Sequence, residues 1–351
     1  MKSIWRDIDF PTFKSLSGDI STDVLIIGGG IAGLLTAYFL DRAGVDYLLV
    51  EKNKICTGVT ANTTAKITVG QGFNYHKILS LRGKEMAQAY YHANKRAVKE
   101  YFSLCKNIDC DFEVKDNFIY SFEKHKIEKE LEALEKIGYK AEYCDKLNLP
   151  FETAGAVKTK GQAQFHPLKF LAKISENLNI FEQTKVREMV GNTAITEKGK
   201  IKAKRVVVAT HFPFINKYGG YFLKLYQHRS YVLALKGAPN LDGMYVDASQ
   251  KGFSFRNYED YLLLGGGSHR TGKPGGNWNQ LKQAAKLWYP NARETARWAA
   301  QDCMSLDDIP YIGRYGNRSQ NLYVATGFNK WGMTSSMVSA QLLCDMILDK
   351  K

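Results

Sequence analysis

The residues "DVLIIGGGIAGLLTAYFLDRAGVDYLLVEK", 23 to 52, decide the fold. Residues 23–28 are an apolar run of strand length. Ile31 to Ala43 keep an apolar helical period closed by Gly44, and "YLLVEK" reads as a second strand. Between the first strand and the helix, Gly28, Gly30 and Gly33 fill a G-x-G-x-x-G pattern. The first glycine of such a pattern allows a tight turn, and the second lets backbone approach a pyrophosphate. The third lets helix and strand pack closely. A pyrophosphate placed there meets the free N–H groups and positive dipole of the helix N-terminus. Glu51 closes the second strand, where an acid accepts hydrogen bonds from an adenosine ribose. The same acid disfavours a 2′-phosphate, which leaves NAD and FAD ahead of NADP.

Three further segments separate those two. In "GVTANTTAKIT" (58–68), small and hydroxyl residues follow the acid where an NAD dehydrogenase usually continues into its next helix. Thr60, Thr63, Thr64 and Lys66, with Lys52 and Ala65 beside them, are placed to hydrogen-bond a diphosphate or an isoalloxazine ring; a capped turn at a helix start is the other reading. "RVVVATHFP" is a buried strand ending at Ala209-Thr210. "YVATGFNKWGMTSS" is a strand with a glycine turn at Gly327 and Gly332 that opens a final helix. A second strand–glycine–helix unit at the far end seats one long cofactor between the chain termini. That favours FAD.

The gross composition agrees with such an enzyme. A chain of 351 residues exceeds one ordinary core, so two domains are expected, and 44% hydrophobic with 24% charged residues describes a globular protein. No apolar run approaches the roughly 20 residues needed to span a bilayer. The N-terminus "MKSIWRDIDFPTF" lacks the apolar core of a signal peptide, so a cytoplasmic protein is expected. The six cysteines show no C-x-x-C spacing, which gives no support to a metal site and fits unpaired thiols. The net charge of +14 is scattered among mixed-sign stretches; only "KGKIKAKR" (198–205) is dense, and it reads as an exposed hairpin. The pattern argues for anionic ligands and against a nucleic-acid groove.

Elsewhere, residues 84–106 and 124–137 read as helices and "GQAQFHPLKFLAKISENL" (161–178) as a turn plus an amphipathic helix. A strand meander follows from 185 to 210 and a second β-rich stretch from 231 to 267, with a hairpin turn at Asn257 to Asp260. Residues 279–300 read as helical. The expected fold is α/β (α+β overall): a Rossmann-like FAD-binding domain from 1–75, 156–215 and 301–351, and a mixed, largely antiparallel β-sheet substrate domain from 76–155 and 216–300.

The N-terminal fingerprint, "TKVREM" before "KRVVVAT", "DDIPYIG" (307–313) and "ATGFNKWGMT" together resemble the D-amino-acid oxidase superfamily of flavoproteins, which includes glycine and sarcosine oxidases. The likeness covers nearly the whole chain. Around "TTAKIT" and "KWGMT" it is strongest to bacterial members that carry an added C-terminal Rieske domain, and a chain without that domain is expected here. The resemblance implies that Gly28, Gly30, Ile31, Ala32 and Gly33 hold the pyrophosphate and Glu51 the ribose. It places Val186 on the adenine side, and Gly327 with the turn Lys330, Trp331, Gly332, Met333 and Thr334 beside the flavin ring. It also implies oxidation of a C–N bond by hydride transfer to flavin N5, with oxygen or a separate carrier as electron acceptor.

Candidate catalytic residues are Lys330, to stabilise charge on the reduced ring, and Arg256 and His269, with Arg229 and Arg270, to grip a substrate carboxylate. Tyr231 and Tyr245 are candidates for an aromatic pocket. Two departures matter. Thr334 stands where sarcosine oxidases place a carboxylate-binding lysine, which weakens the case for a simple amino acid. The position of their flavin-tethering cysteine falls on Ala300, with Cys303 offset, so FAD is expected to be non-covalent. A 2-hydroxy-acid dehydrogenase, or a flavoprotein serving an electron-transfer or tRNA-modification partner, is the alternative.

Overall fold

The computed structural model describes residues 2–249, 251–317 and 319–349. Two sheets organise it. The first has eight strands, ordered Tyr311–Arg314, Leu322–Thr326, Lys200–Val208, Ile20–Ile27, Tyr47–Val50 and Ile180–Phe181, with Val186–Val190 and Thr193–Thr196 paired onto Lys200–Val208 as an antiparallel meander. From Leu322–Thr326 to Ile180–Phe181 all neighbours are parallel. Val24 to Ile27 are buried, as the continuous apolar run of a strand covered on both faces requires. Helices Ile31–Arg42 and Gly332–Ile347 pack against each other, and both start beside the C-terminal ends of parallel strands.

The second sheet has nine strands, ordered Arg293–Ser305, Leu225–Lys236, Tyr261–Arg270, Ser254–Tyr258, Met244–Asp247, Glu113–Tyr120, Ala156–Gln164 and Lys66–Ile67, with Glu142–Cys144 on Ala156–Gln164. All its pairings are antiparallel except Met244–Asp247 on Glu113–Tyr120. The expected class, a parallel nucleotide-binding sheet joined to a mixed and largely antiparallel one, is what forms.

Three local readings change. Residues 279–300 are not one helix: the helix is Asn277–Trp288, and Arg293–Ser305 is a strand paired along Leu225–Lys236. Gly161 makes no terminal turn. It sits inside strand Ala156–Gln164 at φ +64, beside a register shift, and its N–H donates to Asp116 Oδ1. A glycine within a strand relieves the local kink of a bulge. The hairpin turn narrows to Glu259 and Asp260, because Asn257 and Tyr258 complete a strand. Ala156–Gln164, Lys66–Ile67 and residues 301–305 all lie in the second sheet, so sheet membership cuts the chain at other points than the expected 1–75, 156–215 and 301–351 segments. Among the described residues, no helix is long and apolar enough to cross a membrane.

Candidate active site

The glycine turn is built as its spacing demands. Gly28 has φ +116, and a Cβ there would lie 2.5 Å from the Ala209 carbonyl oxygen. A Cβ on Gly33 would lie 1.9 Å from the Gly28 oxygen, so only glycine lets this helix approach its strand. Glu51 faces the turn: its Oε2 accepts the Gly29 N–H at 2.8 Å and its Oε1 accepts the Asn53 N–H at 2.9 Å. Thr60 accepts the Ile31 N–H at 3.2 Å, so its hydroxyl caps the helix, whose own N-cap Gly30 has no side chain to do so.

A cavity of about 1190 Å³ opens from this turn. It exceeds the roughly 300–1,000 Å³ of ordinary ligand pockets. Gly28, Gly30, Ile31, Ala32, Glu51, Lys52, Thr60, Thr63, Thr64, Lys66, Val186, Ala209, Thr210, Gly327, Lys330, Trp331, Gly332 and Met333 all line it. The second glycine turn thus meets the first across one space. A Cβ on Gly332 would meet nothing within 4 Å, and that helix too lacks a side-chain cap. Two glycine-bearing helix N-termini, neither capped by the side chain of its own N-cap residue, face one cavity and fit a dinucleotide with a central diphosphate.

The remaining candidates stand off the cavity. Gly33 packs helix on strand. Ala65 is buried at φ +53, and Thr334 exchanges hydrogen bonds with the Thr68 backbone at 2.9 and 3.2 Å. Arg256 is buried: its guanidinium donates to the carbonyls of Thr64 at 2.7 Å and Ala65 at 2.9 Å, and stacks over Trp5. Burial lowers its pKa to about 9, which leaves it cationic at neutral pH. It braces the 64–65 loop and does not line the cavity. His269 lies parallel to Tyr231 at 5.8 Å and does not reach the cavity, nor do Arg229 and Arg270. Tyr231 lines the cavity, whereas Tyr245 stacks on Phe118 in the core.

Lys330 leads to residues the sequence did not single out. Its Nζ donates to Ser268 Oγ at 3.1 Å and Ser268 donates to Ser230 Oγ at 3.0 Å, and Lys330 and the Ser230 hydroxyl both favour the charged form of Asp302. Lys330, Ser268, Ser230 and Asp302 all line the cavity. Burial pushes Asp302 up to about 6, against the pull of the Lys330 ammonium. Burial lowers Lys330, with Asp302 opposing. His228, opposite Asp302 in the strand pairing, is buried and lowered to about 4 by burial, Lys330 and His269. Lys66 is lowered to about 7, by burial and then by Arg256.

Residues 23–346 match the FAD dependent oxidoreductase family, DAO. The chain belongs to this family. Members of the FAD dependent oxidoreductase family bind FAD, and the cavity between the two glycine turns has the length and the anion-binding ends for it. YhfW of Bacillus subtilis (strain 168), whose name places it among Rieske 2Fe-2S iron-sulfur proteins, is 34% identical over all of this chain and 73% of its own length. Gamma-glutamylputrescine oxidoreductase of Escherichia coli (strain K12) is 22% identical over 96% of this chain and 86% of its own. Among solved structures, glycine oxidase from Bacillus cereus ATCC 14579 superposes with a TM-score of 0.75 at 19% identity, covering 94% of this chain and 96% of that one. The chain is an FAD-dependent oxidoreductase.

Proposed function

We propose that this oxidoreductase breaks a C–H bond next to the nitrogen of a small amine or amino acid, using non-covalently held FAD. The supporting observation is the single cavity that runs from the Gly28–Gly33 turn to the Lys330–Ser268–Ser230–Asp302 network. It offers an anion-binding end and an end rich in proton carriers. When bound, FAD supplies the hydride acceptor. The chain supplies the rest. Gly28, Gly30 and the helix N-terminus at Ile31 would hold the diphosphate, and Glu51 the ribose. At the far end Lys330 holds a proton at Nζ and Asp302 offers a carboxylate that can take one up, where a substrate ammonium has to lose a proton before its C–H bond is broken. The product imine then takes up water. The oxidoreductases of C–N substrates named above support the same chemistry.

Non-covalent attachment is supported by the cysteines that line the cavity. Cys303 is buried, pushed up by that burial, and pairs with Thr326 Oγ1 at 3.5 Å, and Cys56 is likewise pushed up by burial. Neither thiol is activated as a nucleophile.

The purified protein is expected to be yellow, to release flavin on denaturation, and to bleach anaerobically with some member of an amine and amino-acid panel. Flavin that stays with the denatured chain would refute the non-covalent reading. Bleaching by 2-hydroxy acids alone would replace the C–N reading with a C–O one. A second reading concerns the acceptor. The likeness to YhfW favours an iron–sulfur carrier over oxygen, and slow recovery of bleached protein in air would support it.

A further inference from the structure

We propose that Asp302 sets the substrate class: its carboxylate receives the ammonium of a cationic amine, so the substrates are amines without a free α-carboxylate. This rests on the C–N oxidation reading and narrows it.

The wall of the cavity formed by the second sheet and the 327–333 turn decides the matter. Apart from Lys66, which belongs to the cofactor loop, the charged groups of that wall lining the cavity are, among the described residues, Asp247, Asp302 and Lys330. The arginines of the same sheet, Arg229, Arg256 and Arg270, do not line it. A substrate carboxylate is ordinarily gripped by such a side chain, bidentate where it is arginine. Here Lys330 donates to Ser268 and faces Asp302. A carboxylate arriving there would have to share Lys330 with Asp302 and bear the repulsion of the latter.

An ammonium meets the opposite situation. An ionised carboxylate offers about four acceptor positions, and that of Asp302 lines the cavity. The Lys330–Ser268–Ser230 hydrogen-bond chain lines the cavity beside that carboxylate. Burying Asp302 is costly, and a cationic ligand recovers that cost through a charge-assisted hydrogen bond. Ser254 and Tyr231 of the same wall add a hydroxyl and an aromatic face suited to a cation.

The test uses the FAD-loaded protein and four small probes: n-butylamine, glycine, and the inert ions tetramethylammonium and propionate. Calorimetric titration should show both cations binding and propionate not binding. Asp302→Asn should weaken n-butylammonium binding about 10- to 100-fold, the loss of one charged hydrogen bond, with flavin content and melting temperature unchanged. Asp302→Glu, which keeps the charge, should retain the cation preference even if the asparagine variant folds poorly. Propionate or glycine binding more tightly than the cations, or cation binding equal in wild type and Asp302→Asn, would overturn the assignment. The two readings separate cleanly. Glycine bleaching the flavin where n-butylamine does not removes the assignment and keeps C–N oxidation. Cations that bind through Asp302 while no amine bleaches the flavin remove the oxidation reading and keep the site.

Discussion

The guanidinium of Arg256 donates a 2.7 Å hydrogen bond to the carbonyl oxygen of Thr64, 192 residues away in the chain. The same nitrogen reaches the Ala65 carbonyl at 2.9 Å, and Ala65 is held at φ +53. One buried side chain from the second sheet therefore shapes the loop that brings Thr63, Thr64 and Lys66 to the cavity. Arg256→Ala leaves these carbonyls buried without a donor, at about 1–3 kcal/mol each. Urea unfolding should show a loss of about 3 kcal/mol or more together with weakened FAD retention. Arg256→Lys should restore little, because an ammonium lacks the planar fork. Full stability in Arg256→Ala with loss of turnover alone would return Arg256 to the substrate.

The contact between Gly33 and Gly28 is as specific. A Cβ 1.9 Å from the Gly28 oxygen has nowhere to go, since both partners are backbone. Gly33→Ala must push the helix off the strand, at about 1–3 kcal/mol, and should weaken FAD binding about 10- to 100-fold. Gly58→Ala is the control for stability: its Cβ meets no protein atom within 4 Å, its φ is −85, and the unfolding free energy should not change.

The glycine turns and Glu51 were legible because everything that defines them lies within one strand–turn–helix–strand unit. The Asp302 network was not. Asp302 faces Ser230 and His228 only through the pairing of Arg293–Ser305 with Leu225–Lys236, and "ARETARWAAQ" is rich in helix-forming Ala, Glu, Arg and Gln. Twelve paired positions on a neighbouring strand override that local preference. Arg256 and His269 lie off the cavity lining, and the sequence hid this for a related reason. Strand alternation cannot tell which face of a sheet meets a cavity and which meets the core.

Lys66 gives a pH signature to cofactor binding. Burial and the neighbouring Arg256 hold it near 7, so it is cationic below that pH and neutral above it. A dinucleotide brings a negative diphosphate, which favours the charged form. FAD affinity should therefore fall as pH rises through 7, by about tenfold for each 1.4 kcal/mol of lost attraction. Lys66→Met should flatten the curve. Equal pH dependence in wild type and variant, read by fluorescence quenching of added FAD, would assign the effect elsewhere.

Glu130 supplies the last prediction. Helix Asn74–Arg82 has Phe73 at its N-cap and no side-chain cap of its own. Glu130, from helix Lys124–Lys136, fills that role by accepting the Tyr75 N–H at 3.2 Å and the His76 N–H at 2.8 Å. It is 1% exposed, and burial pushes its carboxyl from 4.5 up to about 7, the two N–H bonds holding it back. Between those two pH values the folded chain binds the proton more tightly than the unfolded chain. Its contribution is therefore greatest below 4.5, declines as pH rises, and is level above 7. The span corresponds to about 3 kcal/mol. Glu130→Gln stays neutral throughout, so the unfolding free energy of wild type minus variant should fall by about that amount from pH 4.5 to 7. A difference that does not change across this window would mean that Glu130 titrates elsewhere. Because the same helix carries Asn74 and Lys77 onto the cavity, with Lys77 ion-paired to Asp308, FAD retention measured over the window should follow any loss of the helix.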